Sequence, residues 1–214
     1  MKKLKELTGP ADTMKNAKEV VFVDLPSLVN CQFIDAFVSI HAVKMLNAGK
    51  MKEEMEVRKK PLRISSALDL KNAVVCIRVL VVDMISCNES ELRVLDFTPF
   101  RYLRELRVGD RCFRYVEEMK LIGLSQLERV EIGKQCFVDY DNWTYGNSNG
   151  HFYLKDCESL RELKIGCQSF MGYVVCDIEN NASLEVIEMG IVNEYSATFV
   201  FASLELKSDS ERMR

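Results

Sequence analysis

Apolar residues recur along this chain in a fixed order. From Leu103 they fall at Leu106, Val108, Phe113, Met119, Leu121 and Leu124, and Leu127 reopens the series 24 residues later. The next unit places Leu127, Val130, Ile132 and Phe137, takes nine extra residues, and resumes with Phe152, Leu154 and Cys157. Another offers Leu160, Leu163, Ile165, Phe170, Cys176 and Ile178. The last opens at Leu184 with Ile187 and Met189, and later supplies Leu204 and Leu206. A weaker copy runs through Leu4, Leu7, Val20, Phe22 and Leu25, and Leu28 opens another with Cys31, Phe33, Phe37, Val43 and Met45. Residues 49–66 are a degenerate, charged insert whose KMKEEMEVRKKP stretch reads as a solvated loop or short helix. ALDLKNA (Ala67 to Ala73) restores the second half of that copy, and IRVLVV is the strand of the next. A fixed period of this length marks a repeat array. The count is about eight units in one solenoid domain over residues 1–214, with a second, loop insert at 139–150.

Each unit holds two apolar stretches, L-x-x-L-x-V/I-G and one like EMKLIGL, and both alternate with the period of a strand. The prediction is a mostly β coil with two short parallel strands per turn. Gly109, Gly133, Gly166 and Gly190 recur one residue after the first strand. That suits a corner where the backbone turns sharply or adopts positive φ. The Phe that follows can fold inward and fill the coil. One unit cannot bury its apolar side alone. Stacking brings Leu onto Leu and Phe onto Phe at roughly 4.8 Å per coil. Each such burial contributes about 1.5–3 kcal/mol, against about 1–2 kcal/mol per residue for ordering the backbone, so several neighbours are needed.

The polar positions test this stacking. Successive units carry Arg104, Glu105 and Arg107; Glu128, Arg129 and Glu131; Arg161, Glu162 and Lys164; Glu185, Val186 and Glu188. The first and third columns read plus, minus, plus, minus, and the middle column reads minus, plus, minus, Val. In-register parallel neighbours would set opposite charges side by side, each pair worth about 0.2–1 kcal/mol. A helical face would not require the alternation.

Composition narrows the class. Of 214 residues, 48% are apolar and 29% charged, which excludes a disordered chain, and no apolar run is long enough to span a membrane. The net charge of −3 argues against nucleic acid as the partner. The N-terminus has lysines but no continuous apolar core, so no signal peptide is read, and the expected location is cytoplasmic. The eight cysteines are then expected as free thiols in a reducing compartment.

LRELRVGDRCFRYVEEMKLIGLSQLERVEIG resembles leucine-rich repeats of the BspA-like type, whose units run L-x-x-L-x-I-G-x-x-A/C-F…L. The likeness covers most of residues 76–206 well and 4–48 loosely, in the style of large leucine-rich repeat families in protists. It implies a right-handed, mostly β solenoid used for protein–protein contact, with no catalytic residue carried over. The chain departs from that pattern in its loop insert, its degenerate unit and the absence of end caps.

Chemistry-bearing residues are few. Cys112 and Cys136 share one repeat position, where Ser169 stands in the third copy. Cys31, Cys76, Cys157 and Cys176 fall where other units place core residues, whereas Cys87 and Cys167 sit outside the pattern and are read as exposed. No C-x-x-C pair suggests a metal, and His41 and His151 are too isolated for a nucleophilic triad. No enzyme activity and no cofactor are therefore expected. The insert VDYDNWTYGNSNG carries the sole tryptophan, Trp143, with Tyr140 and Tyr145, on a polar loop. Such aromatics on a rigid scaffold make a contact patch, or else fold back on the coil. The expected function is a protein-binding scaffold that uses this insert and the strand face of Arg107, Glu131, Lys164 and Glu188. That face is charge-balanced by its own neighbours, so binding through it should depend little on salt. Uncapped ends leave end-to-end self-association open. The alternative role is a cell-surface adhesion or antigen protein of the same fold.

Overall fold

The computed structural model describes residues 3–10, 13, 17–31, 42–50, 60–73, 77–138, 150–190 and 196–208. With 36% strand against 3% helix, the protein is a parallel β-solenoid of about 7 turns, spaced about 24 residues apart, with two strands per coil. It divides into two compact units, Met1–Pro61 with Cys76–Arg78, and Leu62–Val75 with Val79–Arg214.

In the smaller unit β1 (Glu6–Leu7) pairs with β3 (Asn30–Cys31), and β2 (Glu19–Val23) pairs with β4 (Ala42–Leu46), both in parallel. Leu7 lies opposite Cys31 and Phe22 opposite Met45. Phe22, Leu28, Cys31 and Ala48 form a small core, with Leu4, Leu7, Val20, Leu25 and Met45 packed against it.

The larger unit has two parallel sheets. The first holds β5 (Leu62–Ile64), β6 (Val79–Val82), β8 (Glu105–Val108), β10 (Arg129–Ile132), β12 (Glu162–Ile165) and β14 (Val186–Met189). The second holds β7 (Val94–Asp96), β9 (Glu118–Ile122), β11 (His151–Lys155), β13 (Val175–Glu179) and β15 (Ser203–Lys207). Within each sheet neighbours follow chain order by coil. Leu106, Val130 and Leu163 are in direct register and fully buried, as are Met119 and Phe152 in the other sheet. Alternate residues point outward, which is why period two was visible in the sequence.

The coil that opens with β5 differs from expectation. Leu62–Ile64, inside the stretch read as a degenerate insert, is a strand in register with Leu80–Val82. ALDLK is not a second strand but a short helix, α1 (Ala67–Lys71). The cause is local: the Ser66 hydroxyl caps the helix by accepting from the Asp69 amide at 3.1 Å, and Asp69 accepts in turn from the Ser65 amide at 3.0 Å. Residues 51–59 of the charged stretch lie outside the described residues.

The corner glycines also have a different cause. Gly109, Gly133 and Gly166 do not have positive φ, although Gly190 does, at +70°. A Cβ on Gly166 would sit 2.6 Å from the Gly133 carbonyl carbon, and one on Gly133 would sit 2.7 Å from that of Gly109. These glycines let one coil's backbone lie against the next. Left-handed residues come two and four positions later: Arg111, Gln135 and Gln168, then Phe113, Phe137 and Phe170. Positive φ is uncommon for Phe. It is compensated by amide hydrogen bonds to the preceding coil, Phe137 to Cys112 O at 3.0 Å and Phe170 to Cys136 O at 2.9 Å. The rings then stack in a column from Phe113 through Phe137 and Phe170 to Phe199, with centroid spacings of 5.2, 4.3 and 4.7 Å.

Candidate partner-binding surface

The first sheet carries the expected charge row. Arg107, Glu131, Lys164 and Glu188 are Cα partners on four adjacent strands. Glu105, Arg129, Glu162 and Val186 form the row beside it. Both orders alternate in sign as the sequence implied, and the charges are used internally. Arg129 bridges Glu105 at 3.5 Å and Glu162 at 2.8 Å, and Arg107 pairs back along its strand to Glu105 at 2.9 Å. Lys164 lies 2.7 Å from Glu162 and 4.0 Å from Glu188. The Lys164 ammonium beside Glu162 holds that carboxyl below its usual range, and Glu162 raises Lys164 in return. On this face Arg107 and Lys164 each pair with a carboxylate of the neighbouring row, Glu105 and Glu162.

The second sheet carries a denser group that the sequence reading passed over. Outward positions of β11 are His151, Tyr153 and Lys155, half-buried on the middle strand of five. The Tyr153 hydroxyl lies 2.9 Å from His151 Nδ1. The Lys155 ammonium stands 5.6 Å from the Tyr153 ring centroid and bridges Asp177 at 2.5 Å and Glu179 at 2.9 Å. These carboxylates push Lys155 well above the usual ammonium range, Asp177 most of all. Asp177 is buried, and its Oδ1 has no hydrogen-bond partner among the described residues. Lys120 on β9 and Glu205 on β15 continue the row through Tyr153 and Asp177. A signal for this group was present: the outward positions of HFYLK and VCDIE set Lys155 and Glu179 in register. The charge columns read from the sequence cover the first sheet alone.

Residues 139–149, with Tyr140, Trp143 and Tyr145, lie outside the described residues, as do His41 and Cys76. The chain re-enters at Gly150, immediately before His151. A Cβ on Gly150 would meet the Tyr173 Cα at 2.7 Å, so the return is closely packed.

The cysteines are structural. Cys31, Cys112, Cys136, Cys157 and Cys176 are buried, and all seven described cysteines are free. Cys87 is buried too, contrary to its reading as exposed, because it occupies the left-handed position that later coils give to Phe. Cys167 is half-buried. The position shared by Cys112, Cys136 and Ser169 has a definite task. Each side chain donates to a carbonyl of the preceding coil: Cys112 to Asp83 O at 3.0 Å, Cys136 to Gly109 O at 3.0 Å, and Ser169 to Gly133 O at 2.8 Å. Thr198 continues the series to Gly166 O at 3.2 Å. The acceptor is the residue that follows the first strand of the preceding coil, Asp83 for Cys112 and a glycine for the other three.

Among the described residues no group of three or more His, Cys, Asp or Glu side chains could hold a metal ion, and no helix is long and apolar enough to cross a membrane. Compared with known proteins, the chain matches no family model, no curated protein and no solved structure.

Proposed function

We propose that this chain is a non-enzymatic protein-binding scaffold whose coils are leucine-rich repeats of BspA-like type. It recognises a protein partner through the outward face of the second sheet around Tyr153, together with the aromatic insert that leads into β11. The observation that carries the reading is Tyr153 itself. It is an aromatic side chain fixed at the centre of a rigid sheet by His151 on one side and Lys155 on the other. An aromatic anchor ordered before binding loses little freedom on association, and aromatic anchors dominate interface energetics. The Arg107, Glu131, Lys164 and Glu188 row, whose two cations pair with Glu105 and Glu162 beside them, gives a neutral flank. The repeat assignment draws on L-x-x-L-x-V/I-G-x-x-C-F, whose apolar positions form buried ladders from the coil of Leu103 to that of Leu160. A reducing, cytoplasmic location agrees with the seven described cysteines being free.

The test is quantitative affinity purification of wild type beside Tyr153→Ala, Trp143→Ala and Arg107→Ala. The reading expects one protein to be lost by at least tenfold from the first two and retained by the third. Equal recovery from all four chains would remove both the sheet face and the insert from consideration.

A further inference from the structure

The outward faces of the two sheets differ in charge. On β8, β10 and β12 of the first sheet, Glu105, Arg129 and Glu162 lie beside Arg107, Glu131 and Lys164, so the signs balance. On β7, β9, β11 and β13 of the second, the outward carboxylates are Asp96, Glu118, Asp177 and Glu179, and the outward ammonium groups are those of Lys120 and Lys155. Lys120 lies 3.0 Å from Glu118 on its own strand, a pair that balances itself. Lys155 is shared between Asp177 and Glu179. Asp96, in the row that runs through Lys120 and Tyr153 to Asp177, accepts the Thr98 amide at 2.8 Å and has no ion pair among the described residues. Two negative charges around Tyr153 therefore lack a cation of their own. Asp177 is only 9% exposed, and its Oδ1 has no hydrogen-bond partner among the described residues. Salt screens a charge buried to that degree far less than an exposed one.

We infer that the protein met at this face presents a basic segment to it, with a lysine or arginine side chain against the Tyr153 ring and beside Asp177 and Glu179. This names the partner's chemistry for the Tyr153 surface and so rests on that reading. Lys155 shows the mode of contact. Its ammonium stands 5.6 Å from the Tyr153 ring centroid while it bridges both carboxylates of β13. A second cation arriving there gives each carboxylate one of its own, and the ring attracts it as well. A guanidinium suits the place, because its plane stacks on an aromatic ring while its N–H fork takes a carboxylate. An acidic segment meets the surplus of like charge and is repelled. Opposite charges steer the encounter, and added salt weakens it. Binding here is therefore salt-sensitive, unlike binding through the balanced row of the first sheet.

The probe is fluorescein-labelled hexa-arginine with blocked ends, titrated with the whole chain and read by fluorescence anisotropy. Glu179→Gln and Asp96→Asn should each weaken binding about threefold, and Tyr153→Ala about two- to fivefold. Asp96→Asn keeps an acceptor for the Thr98 amide and so reads charge alone; urea midpoints show that each variant is folded. Glu128→Gln removes the same charge beside β10 of the first sheet and should leave binding unchanged. Raising sodium chloride from about 50 to about 300 mM should weaken it at least about fivefold, and labelled hexaglutamate should not bind. Losses from Glu179→Gln and Asp96→Asn no larger than that from Glu128→Gln overturn the inference, as does hexaglutamate bound as tightly as hexa-arginine. Adding Glu179→Gln to the affinity purification separates this claim from the one it rests on. A protein lost from Tyr153→Ala but fully held by Glu179→Gln at high salt sinks the basic chemistry and leaves the Tyr153 surface standing.

Discussion

Replacing Gly166 by alanine puts a methyl carbon 2.6 Å from the carbonyl carbon and 2.7 Å from the carbonyl oxygen of Gly133, and 2.7 Å from the Lys134 amide nitrogen. Ordinary contact begins at 3.4 Å, and all three obstacles are backbone. No side chain can swing away, so the coils themselves must part by nearly an ångström at that corner. Overpacking a tight interior costs about 1–3 kcal/mol, and an opening of that size forfeits about a quarter to a half of the dispersion energy of the atoms it separates. Alanine's smaller unfolded-state entropy returns only about 0.4–1 kcal/mol. The net expectation is a loss of about 1–3 kcal/mol, the larger figure if the Ser169 and Cys136 hydrogen bonds beside the corner are strained as well. Gly123 is the control. Its φ is +67° and nothing lies within 4 Å of its Cβ site, so Gly123→Ala pays only for a left-handed backbone, about 1–2 kcal/mol. Asparagine separates the two causes, since it tolerates the left-handed conformation. Gly123→Asn should recover part of the loss, whereas Gly166→Asn should be worse than Gly166→Ala. Urea unfolding followed by far-ultraviolet circular dichroism reads all four midpoints. If Gly166→Ala matched wild type, or if Asn helped at residue 166, close approach would be the wrong reason for the glycine.

Three further outcomes follow from the same contacts. Ser169→Ala should lose about 1–3 kcal/mol, because it strips both the Gly133 carbonyl and the Cys136 amide of their partner; Ser169→Cys should retain most of the stability, and urea midpoints decide. Lys155→Met should lose about 1–3 kcal/mol by leaving Asp177 buried without its cation, and adding Asp177→Asn should return part of it in the same assay. Burial pushes the Cys87 and Cys176 thiols up to about 12 and Cys157 up to about 11, from an ordinary 9.0. Above the unfolded value the unfolded chain sheds these protons first, so stability is fully present below about pH 9 and falls as pH rises towards 11–12. A urea midpoint unchanged between pH 8 and 10.5 would contradict that burial.

Much of the fold was legible because a stack repeats its errors and its rules alike. The inward period of two, the 24-residue spacing and the column of alternating charge each recur, and recurrence separates signal from chance. Arg129 could be placed between Glu105 and Glu162 before any coordinates were known. What was not legible depends on distances between coils. Close approach and positive φ both select glycine, and only the structure tells Gly166 from Gly123. Phe137 at φ +58° breaks a local preference that no propensity would set aside, and a hydrogen bond to the coil below permits it. α1 escaped because its stop and start signals lie within five residues. Cys87 escaped because its unit writes Cys where its neighbours write Phe.

The two sheets differ in how far stacking dictates their outward residues. Inward positions are fixed by volume, and a substitution there is felt by the coils above and below. Outward positions on the first sheet are fixed almost as firmly by sign, since reversing Arg129 would set like charges on both sides of it. The second sheet breaks this rule at β11. His151 and Tyr153 contribute nothing to a charge ladder, and their hydrogen bond at 2.9 Å joins two residues of one strand, not neighbouring coils. Lys155 must then neutralise two carboxylates of β13 alone, one of them buried with an unpaired oxygen. Lys155 ties β11 to β13, but the His151–Tyr153 pair ties no coil to its neighbour. Its place immediately after the aromatic insert is why the proposed recognition surface centres on β11, with the more regular charged row on the other sheet as its neutral flank.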